Sequence, residues 1–211
     1  MKKNNLGNTD IMVSEICLGT MTWGQQNSEK DAHNQLSYAM DNGINFIDTA
    51  EMYSVPPKQE TYGLTEKYIG TWLKNQDREN IIIATKIAGR TSNVPSGPPG
   101  LDWIRNGPRL SKEHIFEAIK NSLKRLQTDY IDLYQLHWPE RNVNNFGMLG
   151  YKHNPREDDI KIESTLEALS EAVDKKLIRY IGLSNETPWG VMKFLSASEK
   201  FNLPRVVSIQ N

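Results

Sequence analysis

Residues 43–53 read Gly-Ile-Asn-Phe-Ile-Asp-Thr-Ala-Glu-Met-Tyr, so a short apolar run ends at Asp48 and Tyr53 follows shortly after it. Two more apolar runs end in the same way, one at Lys86 and one at His137. In a barrel of parallel strands, residues at the C-terminal strand ends meet on one rim because the loops there converge. The sequence therefore predicts one site that combines a carboxylate, an amine, a phenol and an imidazole.

The rest of the chain alternates between strand-like and helix-like segments. Residues 2–13 predict a small hairpin. A helix is expected after Ser28, because Asp31 completes a capping box, and it should stop at Gly43. The predicted strands span 15–18, 44–48, 81–86, 131–136, 179–183 and 206–209. Further helices are predicted over 64–73, after Ser111, over 163–175 and after Thr187-Pro188, and long irregular loops over 88–110 and 138–160.

Six strands alternating with five helices predict an α/β fold with a parallel sheet and right-handed crossovers. An open doubly wound sheet is the competing architecture. The barrel is favoured because residues 19–24, Gly-Thr-Met-Thr-Trp-Gly, lack the spacing of a dinucleotide fingerprint, and because polar residues end almost every strand. A complete (β/α)8 TIM barrel has eight strands. The six predicted strands therefore indicate either an incomplete barrel with an N-terminal hairpin, in one domain of residues 1–211 that lacks strands seven and eight, or a different fold.

Composition restricts the compartment and the class of partner. The 25 basic and 26 acidic residues nearly balance, so nothing favours nucleic acid. No apolar run approaches the roughly 18 residues of a membrane helix, and the N-terminus lacks the apolar stretch of a signal peptide. Cys17 is the only cysteine, and we expect it to be a small buried hydrophobic residue. A chain without an internal disulfide fits the cytoplasm, and the histidines outside the predicted site lack metal-ligand spacing.

Five motifs then occur along the chain in a recognisable order. They are residues 43–53, Ala-Thr-Lys (84–86), Asp-Leu-Tyr-Gln-Leu-His-Trp-Pro (132–139), Ile-Gly-Leu-Ser-Asn (181–185) and Ile-Gln-Asn (209–211). Together they resemble the aldo-keto reductases over the whole chain. Residues 21–24, the Pro56-Pro57 pair and the long loop after His137 resemble a bacterial Tas-like branch, near the potassium-channel β-subunit relatives.

The resemblance implies hydride transfer between NADPH and an aldehyde or ketone, with Tyr53 as proton donor. It makes Lys86 the partner of that tyrosine, Asp48 the carboxylate behind the lysine, and His137 the imidazole that orients the carbonyl. Elementary chemistry agrees, because a free tyrosine with a pKa of about 10 is a poor acid near neutrality, and a nearby cation is expected to lower that pKa. Taken singly, each residue has a plainer interpretation. Asp48 alone would be a helix cap, and Tyr53 alone a packed ring. Lys86 alone would be a solvated charge, and His137 alone a histidine covered by a loop.

The same resemblance assigns the nicotinamide carboxamide to Ser184, Asn185 and Gln210. An amide needs both donors and acceptors, and the side chains of asparagine and glutamine offer both. The alternative for Ser184 and Asn185 is to cap the helix that starts after Thr187.

Four further residues are predicted around the cofactor and the substrate. Gly19 and Thr20 are expected to leave backbone room beside them. Trp23 and Trp138 are expected to line the substrate pocket, although aromatic residues near a strand end also serve simply to pack the barrel mouth.

Members of the family continue through a seventh and an eighth strand, which carry the groups that hold the cofactor phosphates. Three explanations remain open for this chain. It is part of a longer reductase, a truncated and catalytically impaired protein that forms a homo-oligomer to cover its sheet edges, or a non-catalytic module that binds another protein as the channel subunits do. The sequence does not identify the carbonyl substrate, and the choice of NADPH over NADH comes from the resemblance alone.

Overall fold

The computed structural model describes residues 1–91, 101–144, 150–151 and 155–211. An antiparallel hairpin comes first, with strands β1 (Lys3–Asn5) and β2 (Met12–Ser14). The strands that follow are β3 (Cys17–Gly19), β4 (Phe46–Asp48), β5 (Ile82–Ile87), β6 (Ile131–Leu136), β7 (Ile178–Ser184) and β8 (Val206–Gln210). The α-helices are α1 (Glu29–Asp41), α2 (Leu64–Leu73), α3 (Lys112–Leu126), α4 (Ile162–Asp174) and α5 (Pro188–Phe201), and a short 3-10 helix spans Arg78–Asn80.

The larger sheet confirms the predicted fold class. Its strand order is β3-β4-β5-β6-β7-β8, every neighbouring pair is parallel, and a helix joins each strand from β3 onwards to the next. Between β4 and β5 the connection contains the short 3-10 helix in addition to α2. Such a curled sheet of six described strands with helices outside it is an incomplete (β/α)8 barrel.

The helices begin where the sequence predicted, because their caps are local. Ser28 accepts from the Asp31 backbone N–H, and the Asp31 carboxylate accepts from the Ser28 N–H at 2.9 Å, so the capping box is confirmed. Gly43 follows α1 with φ +79°, a conformation that favours glycine. Ser111 and Thr187 cap α3 and α5 as expected.

Strand alternation separates two layers of side chains. The residues that face the helices, such as Ile47, Ile83 and Tyr134, are buried in the main hydrophobic core. Asp48 and Lys86 lie one and three positions from Ile47 and Ile83 respectively, so they point to the inner face of the sheet. The outer face therefore supplies the hydrophobic stabilisation, and the inner face carries polar residues.

The hairpin closes one end of the barrel. Ile11 and Val13 form a small buried cluster with Ile82, near the N-terminal end of β5, and Phe46 packs against it. The opposite end, where β4 ends at Asp48 and β5 at Ile87, stays available to the loops.

Some boundaries and one burial differ from expectation. Strand β3 starts later than predicted, at Cys17, and that cysteine is exposed, so its prediction as a buried residue was wrong. The reason is that β3 pairs only with β4 among the described strands, which leaves the other side of Cys17 uncovered. The described parts of loops 88–110 and 138–160 contain no α-helix or strand. No described helix combines the length and apolarity needed to cross a membrane.

Candidate active site

A buried ion pair lies on the inner face of the sheet. The Lys86 ammonium donates to both carboxylate oxygens of Asp48, with Nζ–Oδ1 2.8 Å and Nζ–Oδ2 2.7 Å, and to the carbonyl oxygen of Thr49 at 2.8 Å. The side chains of Lys86 and Asp48 are 1% and 11% exposed. Because β4 and β5 are adjacent, these three oxygens surround the ammonium and use its three donors.

Two rings complete the arrangement. The Lys86 Nζ atom lies 5.1 Å from the centroid of the Tyr53 ring. The centroids of Tyr53 and His137 are 5.6 Å apart, with the rings edge to face. The structure therefore brings together the four side chains that the sequence placed in one site, including Asp48 through its bond to Lys86.

Burial controls the protonation of these groups. Burial lowers the pKa of Lys86, and the charge and hydrogen bonds of Asp48 act in the opposite direction without cancelling this effect. Burial also lowers the pKa of His137 well below its usual value of 6.5, and the Lys86 charge acts in the same direction, so the imidazole is neutral. Within the described residues, the buried Nδ1 atom of His137 has no hydrogen-bond partner.

The expected direction of the tyrosine pKa was wrong. Burial, and secondarily the Asp48 charge, raise the pKa of Tyr53 above its usual value of 10, whereas the sequence argument expected the Lys86 cation to lower it. The physical reason is that Asp48 balances the ammonium, whose donors are already used, while Tyr53 is only 8% exposed and largely desolvated. Tyr53 is therefore held in its protonated form.

The three predicted carboxamide contacts lie beside this group, at the ends of β7 and β8. Ser184 Oγ donates to the carbonyl of Gln210 at 2.9 Å, and Asn185 Nδ2 donates to the carbonyl of His137 at 2.8 Å. Gln210 Nε2 donates to Asp48 Oδ2 at 3.2 Å. The alternative role of Ser184 and Asn185 as caps is not what the structure shows, because Thr187 caps α5.

Gly19 and Thr20 line the neighbouring edge. A Cβ atom at Gly19 would meet nothing within 4 Å, so there is space in front of this backbone. Thr20 is 1% exposed and its hydroxyl donates to the carbonyl of Asp48 at 2.8 Å. Open space at Gly19, amide side chains at Asn185 and Gln210, and the unpartnered His137 nitrogen together fit a planar amide ligand such as nicotinamide.

The two tryptophans predicted to line the substrate pocket lie in different parts of the structure. Trp138 is buried against Tyr53 in a small cluster, and its ring centroid lies 4.9 Å from that of His137. Trp23 is 1% exposed in the main core, and its indole N–H donates to Gln35 Oε1 of α1 at 3.0 Å. Its prediction as a substrate-pocket residue is therefore corrected, because the apolar ring is buried under the helices.

The sequence analysis missed Gln135. Its Nε2 atom donates to Asp48 Oδ1 at 3.2 Å, so that Asp48 accepts from Gln135 as well as from Lys86 and Gln210. The signal was present, since Gln135 lies two positions before His137 and strand alternation puts both residues on one face.

Comparisons with known proteins extend these observations. A profile described as "Aldo/keto reductase family" matches residues 15–211. The chain is 50% identical over 212 residues to "Protein tas" of Escherichia coli (strain K12). This alignment covers 100% of this chain and 60% of that protein. It is 30% identical over 204 residues to "Probable voltage-gated potassium channel subunit beta" of Arabidopsis thaliana, covering 96% and 52%.

A solved structure shares the fold as well as sequence. The holo form of aldo-keto reductase AKR11C1 from Bacillus halodurans is 34% identical, with a TM-score of 0.70, and the match covers 99% of this chain and 56% of that one. The chain thus spans between half and two thirds of the length of each of these proteins.

Proposed function

The chain belongs to the aldo/keto reductase family, and on this premise we propose that it carries the catalytic groups of an NADPH-dependent oxidoreductase that reduces an aldehyde or ketone to an alcohol. The observation that carries the proposal is the buried Lys86–Asp48 pair with the rings of Tyr53 and His137 beside it. Structural ion pairs seldom have a titratable phenol and a neutral imidazole next to them, and such groups of complementary role mark reactive sites.

Each side chain has a distinct task in this proposal. The cofactor, when bound, supplies the hydride that reaches the carbonyl carbon. Tyr53, protonated because burial raises its pKa, gives its proton to the carbonyl oxygen as negative charge develops there. Neutral His137 donates a hydrogen bond to the same oxygen. Lys86, whose three donors are bound by Asp48 and Thr49, lies 5.1 Å from the Tyr53 ring centroid and acts on the phenolate that remains through its charge alone, while Asp48 holds the ammonium in place.

The cofactor contacts in this proposal are Ser184, Asn185 and Gln210 for the carboxamide, with Gly19 and Thr20 leaving room beside the ring. Trp138 forms part of the substrate pocket through its contact with the His137 ring. The partner is a small carbonyl compound in the cytoplasm.

The deciding experiment replaces Tyr53 with phenylalanine in the full-length protein. We expect turnover of a reactive aromatic aldehyde, followed by the loss of NADPH absorbance, to fall by at least about 10²-fold, because the proton donor is gone. NADPH affinity, measured by quenching of tryptophan fluorescence, should stay unchanged. NADH is assayed in parallel to settle the choice of cofactor.

Tyr38→Phe is the matched control. Tyr38 lies on α1 and is 72% exposed, so its hydroxyl faces solvent. Its loss should leave turnover unchanged. Normal turnover in Tyr53→Phe would contradict the proposal, and a wild-type protein that binds NADPH but reduces no carbonyl compound would favour the interaction-module alternative.

A further inference from the structure

Tyr53 is held by a part of the chain that its own strand does not supply. Tyr53 belongs to a buried apolar cluster that also contains Leu101, Ile104 and Trp138. Leu101 and Ile104 belong to residues 101–107, a compact turn in which the Ile104 N–H donates to the Leu101 carbonyl at 2.8 Å. Leu101 and Ile104 are 3% and 1% exposed. The 101–107 segment therefore supplies an apolar wall of the cluster in which the proposed proton donor lies.

A second ion pair fixes this segment to the loop that carries Tyr53. Arg105 donates twice to Glu51, with Nη1–Oε2 2.5 Å and Nη2–Oε1 2.8 Å. The two side chains are 3% and 0% exposed. Two parallel N–H···O bonds set both the distance and the orientation of the partners. Burial lowers the pKa of Arg105, but the Glu51 charge and hydrogen bonds outweigh it and raise the pKa above its usual value.

Glu51 in turn joins the Tyr53 loop to the strand end that carries Lys86. Its backbone N–H donates to the carbonyl of Lys86 at 3.1 Å. Its carboxylate accepts from the Ala88 N–H at 2.6 Å. One residue, two positions before Tyr53, thus contacts both the 101–107 segment and the end of β5.

Two residues of the 101–107 segment have an unusual backbone conformation. Arg105 and Asn106 have φ values of +49° and +53°, in the left-handed region that non-glycine residues seldom adopt. Such conformations persist where surrounding contacts determine them, and they collect near functional sites.

We propose that Arg105 is a positioning residue: through Glu51 it locks the 101–107 segment against the Tyr53 loop and so sets where the phenol stands relative to Lys86 and His137. The inference rests on the proposed function. It assigns no contact with substrate to Arg105, which acts only through Glu51 and the apolar wall.

Arg105→Met tests the role, because methionine keeps an extended side chain and removes both hydrogen bonds. We expect kcat to fall by about 10- to 100-fold, since displacement of a reacting group by about 1 Å costs that much. The KM for NADPH should not change, because the carboxamide contacts proposed on β7 and β8 are elsewhere. With deuterated NADPH the isotope effect on kcat should rise, as chemistry becomes rate-limiting. Mere loss of active protein would not raise it.

Arg78→Met is the matched control. Arg78 pairs with buried Asp132 at 2.8 Å near the N-terminal end of β6, away from Tyr53. Arg78→Met should lower the free energy of unfolding, although Arg179 still pairs with Asp132 at 3.0 Å, and it should leave kcat and the isotope effect unchanged. Arg105→Lys, which keeps the charge but not the two-pronged geometry, should recover part of the lost kcat.

The outcomes separate the two proposals. Full turnover in Tyr53→Phe overturns the proposed function and the role of Arg105 with it. The positioning role alone is overturned if Tyr53→Phe loses turnover while Arg105→Met and Arg105→Lys keep the wild-type kcat and isotope effect. If Arg105→Met does not fold, Arg105→Lys decides: reduced kcat at unchanged KM for NADPH supports the role, and wild-type kcat contradicts it.

Discussion

At the scale of single residues, burial keeps the proposed acid and the proposed hydrogen-bond donor uncharged. The Tyr53 phenol stays protonated because its pKa is raised, and the His137 imidazole stays neutral because its pKa is lowered. Lys86, the cation that lies over the Tyr53 ring, is paired with Asp48. Charge that develops during a reaction would therefore meet groups that had been neutral, in a site from which water is largely excluded.

The neutral His137 gives the protein a measurable dependence on pH. Below the unfolded pKa of about 6.5, unfolded His137 binds a proton that the folded form does not, so the free energy of unfolding falls as pH is lowered. At pH 5 the loss is at most about 2 kcal/mol, the limit for an imidazole that stays neutral in the folded protein at that pH. We expect His137→Asn to lose correspondingly less stability than the wild type between pH 7 and pH 5 in urea titrations.

The comparison at pH 8 serves as the control for that experiment. At that pH neither form of His137 is charged, so any difference between wild type and His137→Asn there reflects packing. Parallel stability curves from pH 8 to pH 5 would show that His137 does take up a proton in the folded protein.

At the scale of elements, the helices lie close enough for single atoms to matter. A Cβ atom at Gly70 of α2 would stand 2.1 Å from the Arg125 carbonyl oxygen and 2.8 Å from the Leu126 carbonyl carbon of α3. These are backbone atoms, so a shift of one side chain does not remove the clash. The close approach of α2 to α3 brings Arg125 to the buried Glu66, 2.6 Å away.

Gly70→Ala therefore tests the contact between α2 and α3. Alanine favours a helix by about 1 kcal/mol over glycine, but the clash should outweigh this and lower the free energy of unfolding by about 1–3 kcal/mol. Gly19→Ala, whose Cβ meets nothing within 4 Å, should stay within about 0.5 kcal/mol of the wild type. Equal stability of both variants in urea denaturation would contradict the packing argument.

At the scale of the whole molecule, residues 1–211 form a curled sheet that is not closed. Among the described strands, β3 pairs only with β4 and β8 only with β7. The side chain of Ile209 on β8 is 48% exposed. Unpaired strand edges with apolar side chains are templates for association with another sheet.

We therefore expect a polypeptide limited to residues 1–211 to associate as its concentration rises. Size-exclusion chromatography with light scattering would show the mass increase. Ile209→Lys places a charge on the β8 edge, which opposes edge pairing, and should reduce the association. A constant monomer mass over the whole concentration range would show that the edges are protected in some other way.

Much of this architecture could be predicted from local patterns. The Ser28 capping box, the Thr187-Pro188 start and the apolar runs that end at Asp48 and Lys86 each involve neighbours in sequence, and their predictions were confirmed as elements. Even the meeting of Asp48, Tyr53, Lys86 and His137 followed from one rule about where parallel strands end.

The tertiary structure alone decided which distant partners these residues acquire. Arg105 binds Glu51 across 54 positions, in a segment where no periodic pattern pointed to it. Trp23 faces the helices, Cys17 is exposed, and the pKa of Tyr53 is raised although a cation lies nearby. Caps and strand runs depend on a few adjacent residues, whereas burial and charge pairing depend on every element that folds around a side chain. The sequence could therefore name the candidate site residues, but only the assembled sheet and its helices set their environment.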